Sequence, residues 1–421
     1  MKQKVLVNSL DNSRQKKLLT RFIDISIFIY ILSIYILSFD AALNLFSRIL
    51  ALLLMAILAA YVFMKGRFNL NGLPIVLGAF FIICLASCIW AVATEAALSR
   101  AMTVGQILIL IVLLHNYLSQ ESKFIFFLNT LIWTGTIFAA YVVLRIGITA
   151  FLEGLESGLR LGGEINNVNA IGIMTAMNAI MSVWQIFYQK KHLYWLNLAL
   201  SSLVCLASGS RNAIICLLAG LVLLFFLKGN YGKKIISLLQ GAAIIVALLL
   251  ILQLPAFDVF TSRIEALFDA FFSGGSNDTS VSTRLEMIVV GFQEFLKSPI
   301  IGHGIGYSTV ITLEVFGRET YLHNNYVELL SSVGLVGTLI YYALYFTPIK
   351  HLFGYVKKQN AHSVLLFTIL LMFMLSHIGG VDYYDKIAYL YILAAWLCVS
   401  QIKSENETEV KENVEENQES A

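Results

Sequence analysis

Charge is scarce in this chain. Of 421 residues only 13% are Asp, Glu, Lys or Arg, against about 25% in an ordinary soluble domain, while 58% are hydrophobic. So little charge cannot cover a water-facing surface, and with a mean hydropathy of +0.78 the sequence reads as one built for lipid. A formal net charge of +3 gives no reason to expect a nucleic-acid partner. Cysteine is also sparse. Cys84, Cys88, Cys205, Cys216 and Cys398 all fall in apolar stretches without ligand spacing, so they read as small hydrophobes rather than disulfides or metal ligands. The carboxylates Glu265, Asp269, Asp278, Glu286 and Glu294 lack metal-ligand spacing too, and neither a metal nor any other cofactor is expected. There is no internal repeat and no cleavable leader; the first apolar stretch is expected to remain as an anchor.

What is present is a succession of long apolar runs. A helix needs about 20 mostly apolar residues to cross a bilayer. Twelve stretches qualify, near 22–39, 45–64, 73–93, 102–118, 124–144, 169–188, 193–208, 211–227, 235–254, 325–346, 363–378 and 387–402, the seventh being the shortest. The fold class expected is therefore an all-α polytopic membrane protein of about 12 transmembrane helices. Its parts would be a cytoplasmic amino terminus (1–21), nine helices (22–254), a large extracytoplasmic loop containing helices (255–324), three more helices (325–402) and a disordered acidic cytoplasmic tail (403–421). The tail carries seven Glu in nineteen residues and no aromatic. With the amino terminus inside, the inner segments collect 16 Lys and 3 Arg and the outer ones 2 Lys and 8 Arg, which satisfies the positive-inside rule.

The outer basic residues are nearly all arginine, the side chain suited to a two-point grip on phosphate. An arginine near a helix end also snorkels to lipid headgroups, so any single one has a second explanation. Their placement is more telling. Ser47-Arg48, Ser99-Arg100, Ser210-Arg211, Ser262-Arg263 and Thr283-Arg284 each put Arg directly after a hydroxyl residue at an expected outer helix start. A helix amino terminus carries about half a positive charge, so a cation there is mildly unfavourable, by roughly 0.3–1 kcal/mol. It makes sense where an anion binds, because free N–H groups and guanidinium then act together. Five such starts on one side point to a phosphate site on the outer face.

Other polar segments fall on the same side. Arg160 to Asn169 precedes the sixth apolar stretch, where Asn167 or Asn169 can cap the helix and Arg160 is not needed for capping. Tyr321-Leu-His323-Asn324-Asn325-Tyr-Val-Glu328 precedes the tenth, with Asn325 and Glu328 at cap-like spacing. His323 thus stands at a helix start, where the dipole favours neutral imidazole and makes it the general-base candidate; an interfacial hydrogen-bonding His is the plainer alternative. Gly302-His303-Gly304-Ile-Gly306 has no following Lys-Ser/Thr and no preceding strand, so it reads as a turn re-entering the membrane surface and not as a nucleotide loop. The last outer loop, 379–386, reads as an interfacial aromatic belt or, alternatively, as a contact for an acceptor sugar.

In order and spacing these segments resemble the bacterial O-antigen ligase and O-antigen polymerase superfamily. The resemblance rests on Arg160-x-x-Gly163 with Asn166-Asn167-x-Asn169, Ser208-Gly-Ser-Arg211, Arg284, Ser298-Pro299-Ile-Ile-Gly302-His-Gly304-Ile-Gly306, and His323-Asn324-Asn325-Tyr-Val-Glu-Leu with Gly334-Leu-Val-Gly337. It covers roughly residues 155–345. It implies a GT-C-like membrane glycosyltransferase, inverting and metal-independent, whose donor is an oligosaccharide on undecaprenyl diphosphate and whose acceptor is a glycan or a lipid-linked glycan. It further implies that Arg211 and Arg160 hold the diphosphate, that Arg284 assists, and that His323 faces the acceptor hydroxyl. Asn324, Asn325, Tyr321 and Tyr307 would then contact acceptor or sugar, although packing explains the tyrosines equally well. A polymerase and a ligase share the donor site, so these residues do not separate them. A secondary transporter is the rival from another class, but the stretches are almost free of charge at their centres and the large loop has no counterpart in the first half.

Overall fold

The computed structural model describes residues 2–37, 43–66, 68–120, 122–156, 161–163, 165, 167–229, 231–252 and 279–419, and these are helices and connecting turns with no strand among them. The helices are α1 (Lys2–Ile36), α2 (Asn44–Lys65), α3 (Leu73–Ser87), α4 (Thr94–Gln120), α5 (Phe124–Ile146), α6 (Ile148–Glu156), α7 (Val168–Phe187), α8 (Tyr194–Ala207), α9 (Arg211–Leu227), α10 (Tyr231–Leu252), α11 (Thr279–Lys297), α12 (Ser308–Phe316), α13 (Asn325–Lys357), α14 (Ala361–Ser376) and α15 (Lys386–Glu419). An all-helical solution follows from the solvent, since lipid offers no partner to an unpaired backbone amide or carbonyl.

Seven of these helices are long and apolar enough to cross a membrane: α2, α4, α5, α7, α13 and the described apolar parts of α1 and α15. The other five expected stretches coincide with shorter apolar helices, namely α3, α8, α9, α14 and part of α10. The chain is therefore a multi-pass membrane protein. Of the expected loop 255–324, residues 255–278 lie outside the described residues. The remainder is ordered around α11 and α12, which share a small apolar core of Met287, Ile311, Leu322 and Val327 with the start of α13. Where the acidic composition of 403–421 suggests an unordered tail, the backbone of α15 runs on as helix to Glu419. Glu, Lys and Gln are good helix formers, and no Gly or Pro follows Lys386 to stop the helix.

Side chains expected as caps do that work, with one shift of register. Asn167 accepts a hydrogen bond from the Asn169 amide at the start of α7, and Ser210 accepts one from the Ala213 amide at the start of α9. At α13 the cap is Asn324, which accepts from the Val327 amide, and not Asn325 as the Asn325–Glu328 spacing suggests. Both asparagines are committed to other groups, which moves the helix start by one residue.

The feature that organises one end of the bundle is a break inside α13. Gly334 has φ 66° and ψ −170°, far from helical values. The break frees backbone groups in an apolar setting, and the segment 299–304 satisfies them. The amides of His303 and Gly304 donate to the carbonyls of Ser331 and Ser332 at 3.0 and 2.8 Å, while the amides of Leu335 and Val336 donate to Pro299 and Ile300 at 2.8 and 3.2 Å. Non-helical backbone at this depth is tolerated only when protein covers it. A side chain at Gly302 would overlap the Ser332 carbonyl, and one at Gly334 would overlap the Ile300 carbonyl; both residues also have positive φ. The same segment is fastened to the α3–α4 turn, because the Val92 amide donates to the His303 carbonyl and the Ile305 amide to Ser87 Oγ. The expected re-entrant turn is thus packed into the helix bundle.

Replacing Gly334 by alanine is expected to cost about 1–3 kcal/mol in backbone strain before the clash is counted, and to lower the yield of folded protein sharply. Gly354→Ala is the control, because Gly354 lies in the same helix with nothing within 4 Å of an added Cβ. It should be neutral or slightly stabilising. Thermal melts of the two detergent-purified variants would compare them.

Candidate functional site

The amino-terminal end of α13 is held by a polar network centred on Asn325. Its backbone amide donates to the His377 carbonyl at 2.9 Å, its Oδ1 accepts from the amides of Asp382 and Tyr383, and its Nδ2 donates to the Tyr342 hydroxyl at 3.1 Å. Asn324 Nδ2 donates to the Ile378 carbonyl at 3.2 Å. These bonds fasten the turn 377–385, which joins α14 to α15, against α13. Both asparagines are expected above to contact acceptor or sugar; their amides are instead committed to the turn, and Asn325 is fully buried. The turn is stiffened by His377, whose ring lies between the Tyr342 hydroxyl (3.2 Å from Nδ1) and Asp382 (3.3 Å from Nε2).

Beside this turn opens a cavity of 180 Å3 lined in part by Asn167, Asn169, Asn212, Tyr321, Asp382 and Asp385. Each side chain arrives there for a local reason. The α7 cap brings Asn167 and Asn169. Asn212 follows Arg211 in the first turn of α9, and its Nδ2 donates to the Ser376 carbonyl at 2.8 Å. Tyr321 accepts a hydrogen bond from Asn167 Nδ2 at 3.2 Å, and its ring lies 4.2 Å from that of His323. Sequence segments more than 150 residues apart therefore meet at this end of the bundle.

His323 itself adopts φ 56°, a left-handed conformation uncommon for a residue other than glycine. Its Nδ1 is buried without a hydrogen-bond partner. Burial, and then the positive charges of Arg284 and Arg318, push the imidazole down to about 4. It is therefore neutral at pH 7, primarily because it is desolvated and faces two guanidinium groups rather than because of the helix dipole alone. Arg284, expected as an assistant to the site, is close enough to act on His323. Arg318, to which the sequence alone assigns no role, acts on it as well.

The other expected residues divide. Arg211 is half-buried at the first position of α9, one residue before the cavity-lining Asn212. Arg160 lies outside the described residues; the neighbouring Leu161 amide donates to the Ala207 carbonyl at 3.0 Å, which ties that segment to the end of α8 just before Ser210-Arg211. Tyr307 is not brought to the cavity. Its hydroxyl donates to Glu294 at 3.2 Å, its ring stacks on His303 at 4.5 Å, and its phenol is pushed up to about 12 by burial and then by the Glu294 charge. His303 faces the Glu294 carbonyl at 2.9 Å.

Several polar residues of this region take roles that the sequence does not show. Glu328 is buried and accepts from Ser308 Oγ and from the Leu322 amide, so it anchors the segment leading into His323 instead of capping α13. Arg100 lies over the Tyr384 ring at 3.8 Å. Asp382 and Asp385 both line the cavity, and the Asp385 carboxyl is pushed up to about 6 by burial and then by the Asp382 charge. The 379–386 loop was best read as an aromatic belt; the signal that could have found its acids is two carboxylates in a loop between apolar runs. Among the described residues no three His, Cys, Asp or Glu side chains gather as a metal-binding group.

Comparison with known proteins adds to this geometry. A Haemophilus influenzae protein described only as uncharacterized is 25% identical over 195 residues, covering 42% of this chain and 48% of that protein. The chain thus spans about half the length of that curated relative. Residues 196–342 match the family model Wzy_C, described as O-antigen ligase, and this stretch contains Arg211, Arg284, Arg318, Tyr321 and His323 together with the broken helix α13. Residues 196–342 are similar to the O-antigen ligase family, and this match supports the resemblance of the chain to the O-antigen ligase and polymerase superfamily.

Proposed function

We propose that the chain is a glycosyltransferase of the cytoplasmic membrane that moves an oligosaccharide from undecaprenyl diphosphate to an acceptor hydroxyl on the extracytoplasmic side, polymerising cell-surface polysaccharide repeat units. The observation that carries the reading is a neutral imidazole at His323 whose Nδ1 has no hydrogen-bond partner, acted on by two arginine charges and lying against Tyr321, which lines a polar cavity. An isoprenoid-linked donor explains why such a site lies at lipid level and not in a soluble domain.

The chemistry follows from charge. Arg211, with Arg160 and Arg284, grips the diphosphate. The bond between the sugar anomeric carbon and the phosphate oxygen breaks, and negative charge grows on the departing diphosphate. Guanidinium groups that bind it more tightly as that charge develops lower the barrier. The acceptor oxygen attacks from the opposite face, its bond to the anomeric carbon forms, and its proton passes to the His323 imidazole, so the configuration inverts. A diphosphate leaves readily, so neither a strong general acid nor a metal is required. His323 is a weak base while the cations are uncompensated. Bound diphosphate cancels part of their charge and strengthens the base when the donor is in place.

A second reading has one observation in its favour, the ligase description of the matched family. A ligase would move the finished glycan to a lipid core or to protein. Purified protein given synthetic carrier-linked repeat units separates the two: elongation without a further acceptor supports polymerisation, and transfer only when a lipid core or protein is added supports ligation.

Arg211→Ala is expected to abolish glycan assembly with membrane insertion intact, and Arg211→Lys to restore little, because a lysine lacks the two-point grip. A fully active lysine variant would overturn the phosphate assignment. His323→Ala should slow turnover by about 10²–10⁴-fold while donor affinity stays nearly unchanged; weaker donor binding at normal turnover would make His323 a binding residue. The base must be unprotonated, so activity falls as pH drops through its pKa. In kcat/KM, which reports the free enzyme, that acid limb should lie near 4. In kcat it should lie higher, since the donor complex has its cations neutralised. A kcat limb at or below the kcat/KM limb would contradict the coupling.

A further inference from the structure

The 180 Å3 cavity beside the 377–385 turn has a charge character that the transfer chemistry above leaves unused. Two of its lining side chains are acids, Asp382 and Asp385, and among the described residues no Lys or Arg lines it. Lys386 follows Asp385 directly, but it lines a larger cavity of 810 Å3 beside the same turn, framed by α1, α2, α4 and the start of α15.

Each acid is fixed through one oxygen and leaves the other open. Asp382 Oδ2 lies 3.3 Å from His377 Nε2 and accepts from Ser376 Oγ at 3.5 Å, while the Asp382 amide donates to Asn325 Oδ1 at 3.0 Å. Asp385 Oδ1 accepts from the Ile387 amide at 2.9 Å, and the Asp385 amide donates to the Asp382 carbonyl at 2.9 Å. Asp382 Oδ1 and Asp385 Oδ2 take no hydrogen bond among the described residues. The Tyr321 hydroxyl accepts from Asn167 Nδ2, which leaves its own proton to donate. Gly380, also in the lining, keeps the first of these oxygens uncovered, because a Cβ there would stand 4.0 Å from Asp382 Oδ1.

Size and charge limit what enters. At 180 Å3 the cavity is smaller than the roughly 300–1,000 Å3 of a drug-sized site, which leaves room for one sugar ring and not for an oligosaccharide. Its open carboxylate oxygens accept from hydroxyl groups, and the Tyr321 proton donates to a hydroxyl or ring oxygen. A further negative charge is a different matter. Burial and then the Asp382 charge already push the Asp385 carboxyl up to about 6, and repulsion between like charges is weakly screened away from water. The place of the cavity says which ring it serves. Tyr321 brings it beside His323, the base that takes the acceptor's proton, with the two side-chain rings 4.2 Å apart.

We propose that this cavity seats the acceptor sugar that bears the attacking hydroxyl, that this sugar is uncharged, and that Asp382 and Asp385 exclude acidic sugars such as uronates from the acceptor position. The inference names the acceptor class for the transfer proposed above. It rests on that reading and holds for polymerase and ligase alike.

The test is transfer by the purified full-length protein from one synthetic carrier-linked donor whose own acceptor hydroxyl is methylated. Two alkyl-anchored acceptors differ only in the ring that bears the attacking hydroxyl, a hexose in one and the matching hexuronate in the other. The wild type should favour the hexose in kcat/KM by about tenfold or more. Asp385→Asn keeps the oxygen that the Ile387 amide binds, and it should shrink this preference by improving the uronate; Asp382→Asn should shift it the same way. A purely structural role would lower both acceptors together and leave their ratio unchanged. Gly380→Ala, which the space admits, should raise KM for the hexose more than it lowers kcat. Equal use of both acceptors by the wild type, or an unchanged ratio in both asparagine variants, would overturn the charge filter and leave the transferase reading standing. A faster reaction with the corresponding free-amine sugar would mark an ionic site and overturn the uncharged assignment. Transfer to none of these acceptors, with the donor intact, would sink the transferase reading and the inference with it.

Discussion

At bilayer depth a backbone amide has no water to turn to, and the polar end of this protein is organised by how one such debt is met. The break at Gly334 in α13 leaves amides and carbonyls exposed in an apolar setting, and the 299–304 segment supplies their partners. That pairing fixes the loop relative to the helices. It holds α11 and α12 over the end of the bundle, sets the path of the chain into His323, and presses the glycine-rich turn against the α3–α4 connection. A helix without the break would leave the loop nothing to bind, and the arginines of α11 and of the α12–α13 connection would lose their fixed place near the imidazole.

The electrostatics of the site depend on that frame. Arg284 and Arg318 act on a half-buried histidine, while Glu294 and Glu328 of the same region are engaged elsewhere. Glu294 takes Lys297 and Tyr307, and Glu328 takes Ser308 and the Leu322 amide. Positive potential is therefore concentrated where the imidazole must stay neutral. On the other side of the frame the Asn325 network pins the 377–385 turn, and the two acids of that turn face the cavity beside Asn212 and Tyr321. The cavity itself is edged by carboxylates and amides, and the guanidinium groups act on His323 beside it; under the proposed function the first would orient hydroxyl groups and the second bind phosphates.

Much of this was legible before any coordinates. The apolar stretches coincide with the apolar helices even where those helices are short, because hydropathy reports what lipid tolerates. The caps at Asn167 and Ser210 were legible as well, since capping is a local bond between a side chain and an amide two or three residues on. Of the five arginines expected at helix starts only Arg211 stands at one; α2, α4 and α11 begin four to six residues before Arg48, Arg100 and Arg284, because other residues open those helices, and Arg263 lies outside the described residues. Asn324 and Asn325 were misjudged for a physical reason: a short polar run between apolar stretches looks the same whether its amides meet a substrate or the protein's own backbone. Tyr307 was similarly ambiguous, and Glu294 claimed it. The acids of the last turn make local bonds, Asp382 with His377 and Asp385 with the Ile387 amide, but the cavity they line is completed by Asn167, Asn169 and Asn212, which only the fold brings to them.

By itself the sequence determined the all-helical membrane architecture, the segments that carry polar chemistry and the likeness to the O-antigen ligase superfamily, because those depend on local composition, spacing and order along the chain. The tertiary structure alone decided which of those polar groups are structural and which face a cavity. It also decided that burial and two distant arginines set the proton affinity of His323, and that a second, larger cavity lies beside the 377–385 turn. Such properties arise from contacts between residues far apart in the chain, and a buried charge or an unpartnered nitrogen has no meaning until its neighbours in space are known.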